Sequence, residues 1–348
     1  MVSRRVIFTL LGTGSSRGTP TIEKCLLDPS LVLTAELRHN PSLLVQVVDT
    51  SMPAGPNAVK LQLLVDMGKT FRFSIMDHLK RCVQHAQTPD SKLVFPFLRP
   101  AFDGVFITHG HADAMGGLDD LRELNNTSDC VSMPVYADRK TMGDVSSTFP
   151  YMFSTSSNGL YLPSASPIAF DYFQEIKFLG GSFSVIPVPT THGNVTCSGF
   201  VFRWSEKHGV GGAYQAAYFS DFHCPPISPK VIDFKNRSAW SAYAPLEDFL
   251  TCFAYPEETI RVLKECPLHH LVLDTLSPDF FYPSHACFFE AEKVVDAIMQ
   301  AGVSLSNCRV CNIGMSAFID KEWYSALDPP SRICVSHDGD QFVLPSSE

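Results

Sequence analysis

The sequence has no long hydrophobic run and no cluster of basic residues, and these two absences limit its functions. No apolar stretch approaches the roughly 20 residues of a transmembrane helix, so no membrane association is expected. Even so, 45% of the 348 residues are hydrophobic, enough for a large core. Lysine and arginine number 27 against 36 acidic residues, a formal charge of −9. Because a nucleic-acid backbone is bound by clustered positive charge, a nucleic-acid partner is disfavoured.

The chain also lacks the features of a secreted protein. Its first eight residues are basic and then apolar, but Gly12 and Gly14 interrupt the apolar run, which predicts a strand and not a signal peptide. The 11 cysteines are an odd number without close spacing, which is typical of reduced thiols and not of a disulfide framework. We therefore predict a cytoplasmic protein. We expect a single domain, residues 1–348, with insertions near 141–181 and 224–250, which are rich in proline and aromatic residues.

Segments with strand-like and helix-like patterns interleave along the chain, and many neighbouring strands are expected to be antiparallel. The predicted strands are residues 5–11, 42–48, 61–65, 104–107, 183–189, 200–204, 213–219, 270–274 and 307–313. The predicted helices are residues 70–86, 256–266, 284–302 and 322–327.

The segment after the predicted strand at 104–107 has a pattern typical of a metal site. His109, His111 and Asp113 occupy alternate positions of a tight loop, and a glycine pair then precedes a predicted helix. Alternate residues of an extended loop project to one side, so the two imidazoles and the carboxylate can converge. Such ligands suit a borderline divalent ion such as zinc. HxHxD between a strand and a glycine-initiated helix is much rarer than HxHxD alone, and it predicts a metal ion here.

Two later turns offer further ligands. The strand at 183–189 leads to His192, and a later strand leads to Asp221. With His109 and His111 they give three nitrogens and one oxygen, a set that binds a catalytic divalent ion and leaves a position for water. Water on such an ion has a pKa near ~7, so hydroxide is available at neutral pH. Taken singly, the two residues are equally compatible with a solvated turn histidine and a carboxylate that caps a turn.

A glycine-rich loop at residues 12–18 follows the first strand. It lacks one glycine of the dinucleotide-binding fingerprint and has the G-x-S-x-G spacing of a nucleophile elbow, but Pro20 argues against the helix that such an elbow needs. We interpret the loop as a turn whose backbone N–H groups face an anion. Arg17, Ser15 and Ser16 are the candidate substrate-binding residues.

Together these motifs resemble the metallo-β-lactamase superfamily, in the branch of the cyclic phosphodiesterase of phosphonate breakdown and the tRNA 3′-processing endonucleases. The matching segments, in the family's order, are residues 11–16, 108–114, 192–193 and 218–222. The resemblance covers most of residues 5–345. It implies an α+β fold of the αββα type, a four-layer sandwich with two mixed β-sheets flanked by helices. It also implies that His109, His111, His192 and Asp221 bind one metal ion.

Two positions depart from the family pattern. Ala114 follows the motif aspartate, and Ala317 stands near the end of the last core strand, where the family usually has histidines. A second metal ion would keep only Asp113 and the shared Asp221, and two carboxylates without imidazole bind an ion weakly. We therefore expect one firm site, for zinc with manganese as the alternative, and a second site that is weak or absent. Asp113 is then free to orient or deprotonate the water, while His223 either replaces a lost ligand or faces solvent.

His285 is the candidate general acid. In the cyclic phosphodiesterase relatives a histidine in this region acts as acid or stabilises the leaving group, which is work suited to an imidazole above a metal centre. Ser284 is predicted to cap the helix that begins there, and the alternative is a first-turn surface histidine. Asp274, at the end of a strand, is interpreted as structural.

These residues predict a metal-dependent hydrolase, a phosphodiesterase that acts on small or cyclic phosphodiesters through a hydroxide on the metal. Two alternatives stay open. Relatives with this fold hydrolyse thioesters, lactones and other acyl bonds, since a fold does not fix its chemistry. Loss of both second-site histidines is also compatible with a catalytically impaired metal-binding scaffold. The sequence leaves open whether the protein is a homodimer.

Overall fold

The computed structural model describes residues 4–86, 98–125, 132–153, 164–205, 213–224, 244–277, 282–315 and 331–345. The chain divides into two compact units. The first comprises Met1–Ser16, His39–Asp171 and His337–Glu348, and the second comprises Arg17–Arg38 and Tyr172–Ser336. Ala317 and the predicted helix at 322–327 lie outside the described residues. The prediction of a single domain remains a prediction.

The first unit contains a mixed seven-stranded β-sheet. In spatial order its strands are β14 (Gln341–Leu344), β1 (Arg4–Gly12), β2 (Ser42–Asp49), β3 (Val59–Val65), β4 (Gly104–Phe106), β5 (Met133–Ala137) and β6 (Ala165–Ala169). The first three neighbouring pairs are antiparallel and the last three are parallel. Strands β1, β2 and β3 are rich in valine and leucine, and they are buried except at Arg4, Arg5 and Lys60, as expected for strands covered on both faces.

The second unit repeats this pattern of pairing. Its strands, in spatial order, are β7 (Ile176–Phe178), β8 (Phe183–His192), β9 (Val195–Trp204), β10 (Tyr214–Phe219), β11 (Leu268–Asp274), β12 (Arg309–Ile313) and β13 (Ile333–Val335). Again three antiparallel pairs are followed by three parallel pairs. This internal similarity of topology was not detectable as a repeat in the sequence.

Helices accompany each sheet. The first unit has α3 (Phe71–Ala86), α4 (Ala112–Met115), α5 (Leu121–Asn125) and α6 (Arg139–Thr148). The second has α1 (Ile22–Leu27), α2 (Leu31–Thr34), α7 (Pro256–Lys264) and α8 (Phe288–Gln300). None of the described helices is long and apolar enough to span a membrane. The prediction of two mixed β-sheets flanked by helices is confirmed.

Each sheet has its own hydrophobic core. In the first unit Leu64 and Val105 of the sheet pack in one cluster with Val145 of α6. In the second unit Leu271 packs in one cluster with Phe289 of α8. Full burial of each such side chain contributes about 1.5–3 kcal/mol, so these cores fix the strands whose ends carry the candidate site.

The nine predicted strands all correspond to observed strands, and the helices predicted at 70–86 and 256–266 correspond to α3 and α7. No helix begins directly after Ser16, as expected, but a short helix that the sequence analysis did not predict follows a few residues later. The short helix α1 begins at Ile22, directly after Thr21, whose hydroxyl accepts a hydrogen bond from Lys24 N. Pro20 precedes this cap, outside the helix, and therefore does not prevent it.

The helix predicted to begin at Ser284 begins later, at Phe288, so the prediction that Ser284 caps it was also wrong. Cys287 is the N-cap, and its backbone N donates to the Glu290 carboxylate at 2.8 Å. Cys287 has an extended backbone because Phe288 N donates to Ser277 O at 2.8 Å, which holds Cys287 beside Ser277, and the residues before it are not helical.

The span 141–181, predicted as an insertion, contains regular structure in its described part. It includes most of α6 and contributes one edge strand to each sheet, β6 and β7. Of the second predicted insertion, 224–250, only Cys224 and residues 244–250 are described, and a 3₁₀ helix begins there at Leu246.

Candidate functional site

Three of the predicted ligands lie together in the first unit, at the end of β4. His109 is only 1% exposed, His111 is exposed, and Asp113 is buried in the first turn of α4. The ring centroids of the two histidines are 4.6 Å apart, and His109 Nε2 is 3.8 Å from Asp113 Oδ1. The alternate residues therefore do converge, although Asp113 belongs to a helix that begins at Ala112, and not to an extended loop.

A buried carboxylate that the sequence analysis missed determines how His109 presents its ring. Asp66 follows β3 and accepts two hydrogen bonds from Thr108, one from its backbone N and one from its hydroxyl, each 2.8 Å long. The hydroxyl proton is thus committed to Asp66, so Thr108 Oγ1 can only accept from His109 Nδ1, which lies 2.9 Å away. The proton of neutral His109 is therefore on Nδ1, and the lone pair on Nε2 faces Asp113.

The loop that follows β3 also fixes the backbone of the ligand loop. Met67 N donates to Ala114 O at 2.7 Å, Lys69 N to Ala112 O at 3.1 Å, and Gly117 N to Met67 O at 2.7 Å. These three hydrogen bonds hold both ends of the Ala112–Met115 turn, and with it the position of the carboxylate ligand.

Two glycines allow close packing around this loop. A Cβ on Gly68 would overlap the carbonyl oxygen of Asp113, so only glycine fits there. A Cβ on Gly110, between the two histidines, would lie 2.5 Å from a carboxylate oxygen of Asp144, which extends from α6. Ala114, where the family pattern has histidine, is buried.

The second unit brings together His192, Asp221 and His285. Strands β8 and β10 run in the same direction because each is antiparallel to β9, so His192 at the end of β8 and Asp221 just after β10 lie at the same edge of the sheet. One potential ligand atom from each of the three residues lies within 4.8 Å of the other two. His192 and Asp221 are buried, and His285 is half-buried.

Main-chain and carboxylate acceptors orient the two histidines of this group. His192 Nδ1 lies 2.6 Å from Ser284 O, and because a carbonyl only accepts, the proton of the neutral ring is on Nδ1 and the lone pair is on Nε2. His285 Nδ1 donates to Asp274 Oδ2 at 2.8 Å and lies 3.5 Å from Asp221 Oδ1.

Asp274, which the sequence analysis interpreted as structural, is therefore a partner of His285. Burial raises the pKa of Asp274 to about 7, and the nearby Asp221 carboxylate adds to this rise, whereas the hydrogen bond and the charge of His285 oppose it. The sequence offered one indication of a role in the site, because this aspartate ends β11, the strand that pairs with β10. Its hydrogen-bond partner, His285, is 11 residues further along the chain and could not be identified from the sequence.

The other predicted site residues have different surroundings. His223 Nδ1 lies 3.2 Å from Gly193 N and 3.1 Å from Thr191 O, so this nitrogen faces the main chain, and burial lowers the pKa of the ring. Arg17 is exposed and forms an ion pair with Glu23 at 2.8 Å.

The backbone carbonyls of Ser15 and Ser16 accept hydrogen bonds from Asn40 Nδ2 at 3.1 and 3.4 Å. These hydrogen bonds hold the backbone of the loop at Ser15 and Ser16 through its carbonyl groups. The role of both serines in substrate binding remains a prediction.

The donor sets in both units fit a divalent metal ion. Each contains a histidine whose tautomer is set by a neighbouring acceptor, His109 in one unit and His192 in the other, together with a buried carboxylate, which is the combination found in catalytic zinc sites. The groups that orient these two histidines, Thr108 with Asp66 in one unit and the Ser284 main-chain carbonyl in the other, are the kind of support that metal-binding histidines require.

Comparisons with known proteins agree with this architecture. A family model described as a beta-lactamase superfamily domain matches residues 82–226. No curated protein matches the sequence. Among solved structures, a diphosphatase of the PhnP family is 20% identical with a TM-score of 0.61, over 99% of this chain and 98% of that one.

Two further structures are similar over nearly their whole length. Unliganded yeast PDE1 is 12% identical with a TM-score of 0.55, over 98% of this chain and 99% of that one. The short form of human tRNase Z is 13% identical with a TM-score of 0.52, over 98% and 100%. At these identities the likeness is one of fold. The protein therefore has the metallo-β-lactamase fold, and its residues 82–226 match the model of a beta-lactamase superfamily domain.

Proposed function

We propose that the protein is a metal-dependent hydrolase of small or cyclic phosphodiesters. In this proposal His109, His111, His192 and Asp221 are ligands of one divalent metal ion, zinc or alternatively manganese. The observation that carries it is that potential ligand atoms of His109, His111 and His192 lie within 4.8 Å of one another, with Nδ1 of His109 and of His192 bonded to a protein acceptor, which places the lone pair on Nε2. The diphosphatase and the tRNase among the structural neighbours, which by their names cleave bonds to phosphorus, support the choice of substrate class.

A divalent ion at this position supplies Lewis acidity and lowers the pKa of water. Asp113, a buried carboxylate 3.8 Å from His109 Nε2, orients the attacking water and accepts its proton. Arg17 and the backbone N–H groups of Ser15 and Ser16 bind the remaining phosphate charge.

His285 is the general acid in this proposal. Its Nδ1 proton is held by Asp274, so the second ring nitrogen, Nε2, is the one that transfers a proton to the leaving oxygen. The hydrogen bond to Asp274 also fixes the orientation of the His285 ring.

Metal content and hydrolysis together test the proposal. Purified protein should contain close to one zinc or manganese per chain by elemental analysis, which also reports on the weak or absent second site. It should hydrolyse bis(4-nitrophenyl) phosphate or cyclic nucleotides, and His111→Ala should remove both metal and activity. Equal rates in wild type and His111→Ala would disprove the hydrolase. Preference for 4-nitrophenyl acetate, thioesters or lactones would instead indicate acyl chemistry, and metal without turnover would indicate a scaffold.

The leaving group distinguishes an acid at His285 from a fourth imidazole ligand, since its ring also lies among the potential ligands of the second unit. An acid matters little for 4-nitrophenolate and much for an alkoxide leaving group. His285→Gln should therefore slow a cyclic nucleotide about 10²–10⁴-fold and bis(4-nitrophenyl) phosphate far less, with metal content unchanged. Loss of metal would make His285 a ligand.

The cytoplasmic location, the absence of a nucleic-acid partner and the homodimer remain predictions. Binding of transfer RNA at physiological salt would revive an RNA substrate.

A further inference from the structure

Lys69 lies next to the candidate ligand loop. Its backbone N donates to Ala112 O, the residue between His111 and Asp113, at 3.1 Å. Gly68, just before it, packs so closely on the carbonyl oxygen of Asp113 that a Cβ there would overlap it. The backbone of Lys69 is therefore hydrogen-bonded to the residue that separates two candidate metal-site residues, His111 and Asp113.

The charge of Lys69 is available to a ligand. Its side chain is exposed, and it makes no ion pair with any carboxylate in the described part of the chain. Two arginines of the neighbouring helices are already paired, Arg72 with Asp120 and Arg122 with Asp119.

A phosphodiester monoanion needs a partner of this kind. Its charge is on two non-bridging oxygens, and a lysine ammonium, with three donors on a flexible four-carbon stem, can reach either of them. A neutral ester or lactone has no such charge, so a cation at this position favours anionic substrates over neutral ones.

We propose that Lys69 is a substrate-binding residue that pairs with a non-bridging phosphate oxygen and selects anionic phosphodiesters. This inference rests on the proposed function. Arg17, the cation named in the proposed function, already pairs with Glu23, so Lys69 adds a positive charge that no carboxylate of the described residues pairs with.

Lys69→Met keeps the length of the side chain and removes the charge, and Lys69→Arg keeps the charge. Lys80→Met is the matched control, because Lys80 is also exposed but lies on α3, about 13 Å along the helix from Phe71. All variants are assayed with metal bound, and metal content is measured for each.

Two readouts are used: kcat/KM for bis(4-nitrophenyl) phosphate against 4-nitrophenyl acetate, and binding of inorganic phosphate by isothermal titration calorimetry. Loss of a charged hydrogen bond predicts that Lys69→Met lowers diester kcat/KM and phosphate affinity about 10- to 100-fold. Acetate hydrolysis and metal content should be unchanged, Lys69→Arg should recover most of the loss, and Lys80→Met should match wild type.

The outcomes separate the two proposals. If wild type hydrolyses diesters and Lys69→Met does so equally well, Lys69 is not the selecting residue and the proposed function stands. If wild type hydrolyses no diester but binds phosphate through Lys69, the proposed function fails and the anion site stands. If wild type neither hydrolyses diesters nor binds phosphate, both are overturned.

Discussion

The carboxylate of Asp66 accepts hydrogen bonds from both the backbone N and the hydroxyl of Thr108, each at 2.8 Å. These two residues lie 42 positions apart and are brought together because β3 and β4 are parallel neighbours that end at the same edge. Thr108 transmits the effect to His109, since its hydroxyl, having donated to Asp66, can only accept from Nδ1. The carboxylate therefore determines which nitrogen of the histidine is left to bind metal.

Asp66→Asn should lower metal affinity without changing the backbone. Asp66 has a φ of 60°, a conformation that asparagine tolerates as well as aspartate. An amide that donates to the Thr108 hydroxyl would turn that hydroxyl toward His109 Nδ1 as donor and shift the ring proton to Nε2, where it blocks the metal. Loss of such support typically costs 10- to 100-fold, so we expect the zinc dissociation constant to rise by about that factor in a chelator competition assay.

The same assay should show no change for Asp144→Asn, whose carboxylate touches Gly110 but makes no hydrogen bond to either histidine that the structure records. Unchanged zinc affinity in Asp66→Asn would show that His109 does not depend on this hydrogen-bond chain.

Gly68→Ala should destabilise the ligand loop, and Gly143→Ala should not. A methyl group at Gly68 overlaps a backbone carbonyl of Asp113, which cannot move without breaking the bonds around Ala112 and Ala114. Gly143 lies within α6 with open space around its Cα, so alanine there improves helix propensity by about 1 kcal/mol.

In thermal denaturation of the metal-free proteins, the melting temperature of Gly68→Ala should be several degrees below that of wild type. The melting temperature of Gly143→Ala should equal that of wild type or lie slightly above it. Metal titration should show weaker binding only for Gly68→Ala. Equal melting temperatures for wild type and Gly68→Ala would mean that the two loops are not packed as described.

The strands were predictable because their signal is local. Residues 42–48 and 61–65 are apolar runs bounded by turn residues, and they form β2 and β3. The late start of α8 was not predictable in the same way, because the serine and histidine at 284–285 look like a helix start. The hydrogen bond from Phe288 N to Ser277 O, 11 residues earlier, holds Cys287 in an extended conformation, so the helix begins only at Phe288.

In the candidate site, too, the residues with a local sequence signal were predicted and those that depend on contacts between distant residues were not. The ligands themselves follow strand ends and were found by type and spacing. Their supports were not: Asp66 acts through Thr108, and Asp274 bonds to His285, each pair distant in the chain. These contacts depend on which strands are neighbours in the sheet, and a single sequence does not state this.

Glu290 should make the protein less stable as the pH rises. Burial raises the pKa of Glu290 from 4.5 to about 7, with the Cys287 N–H opposing it. Between these values the folded state holds a proton that the unfolded state has lost, so the free energy of unfolding falls as the pH increases, by about 3 kcal/mol at most. Glu290→Gln still accepts the bond from Cys287 N and has no charge to bury.

The comparison is made by urea denaturation of metal-free protein from pH 4 to pH 8. Glu290→Gln should be close to wild type at pH 4 and progressively more stable than wild type above pH 5. Parallel curves for the two proteins would show that Glu290 is not buried in this way.

His78 should have the opposite effect, in acid. It is buried in α3, its Nε2 lies 3.5 Å from Cys82 Sγ, and burial lowers its pKa from 6.5 to about 4, with a smaller contribution from Arg81. Between these values the unfolded state binds a proton that the folded state does not, so stability is complete above pH 6.5 and is lost as the pH falls toward 4. The loss is about 3 kcal/mol at most.

His78→Gln keeps a polar side chain with good helix propensity and removes the titration, so its unfolding free energy should fall less than that of wild type over this range. Glu290→Gln keeps His78 and lacks the opposing titration of Glu290, so it should lose more stability than wild type over this range and serves as the control in the opposite direction. If His78→Gln and wild type lose stability equally between pH 6.5 and 4, other groups account for the acid sensitivity and His78 is accessible to protons in the folded state.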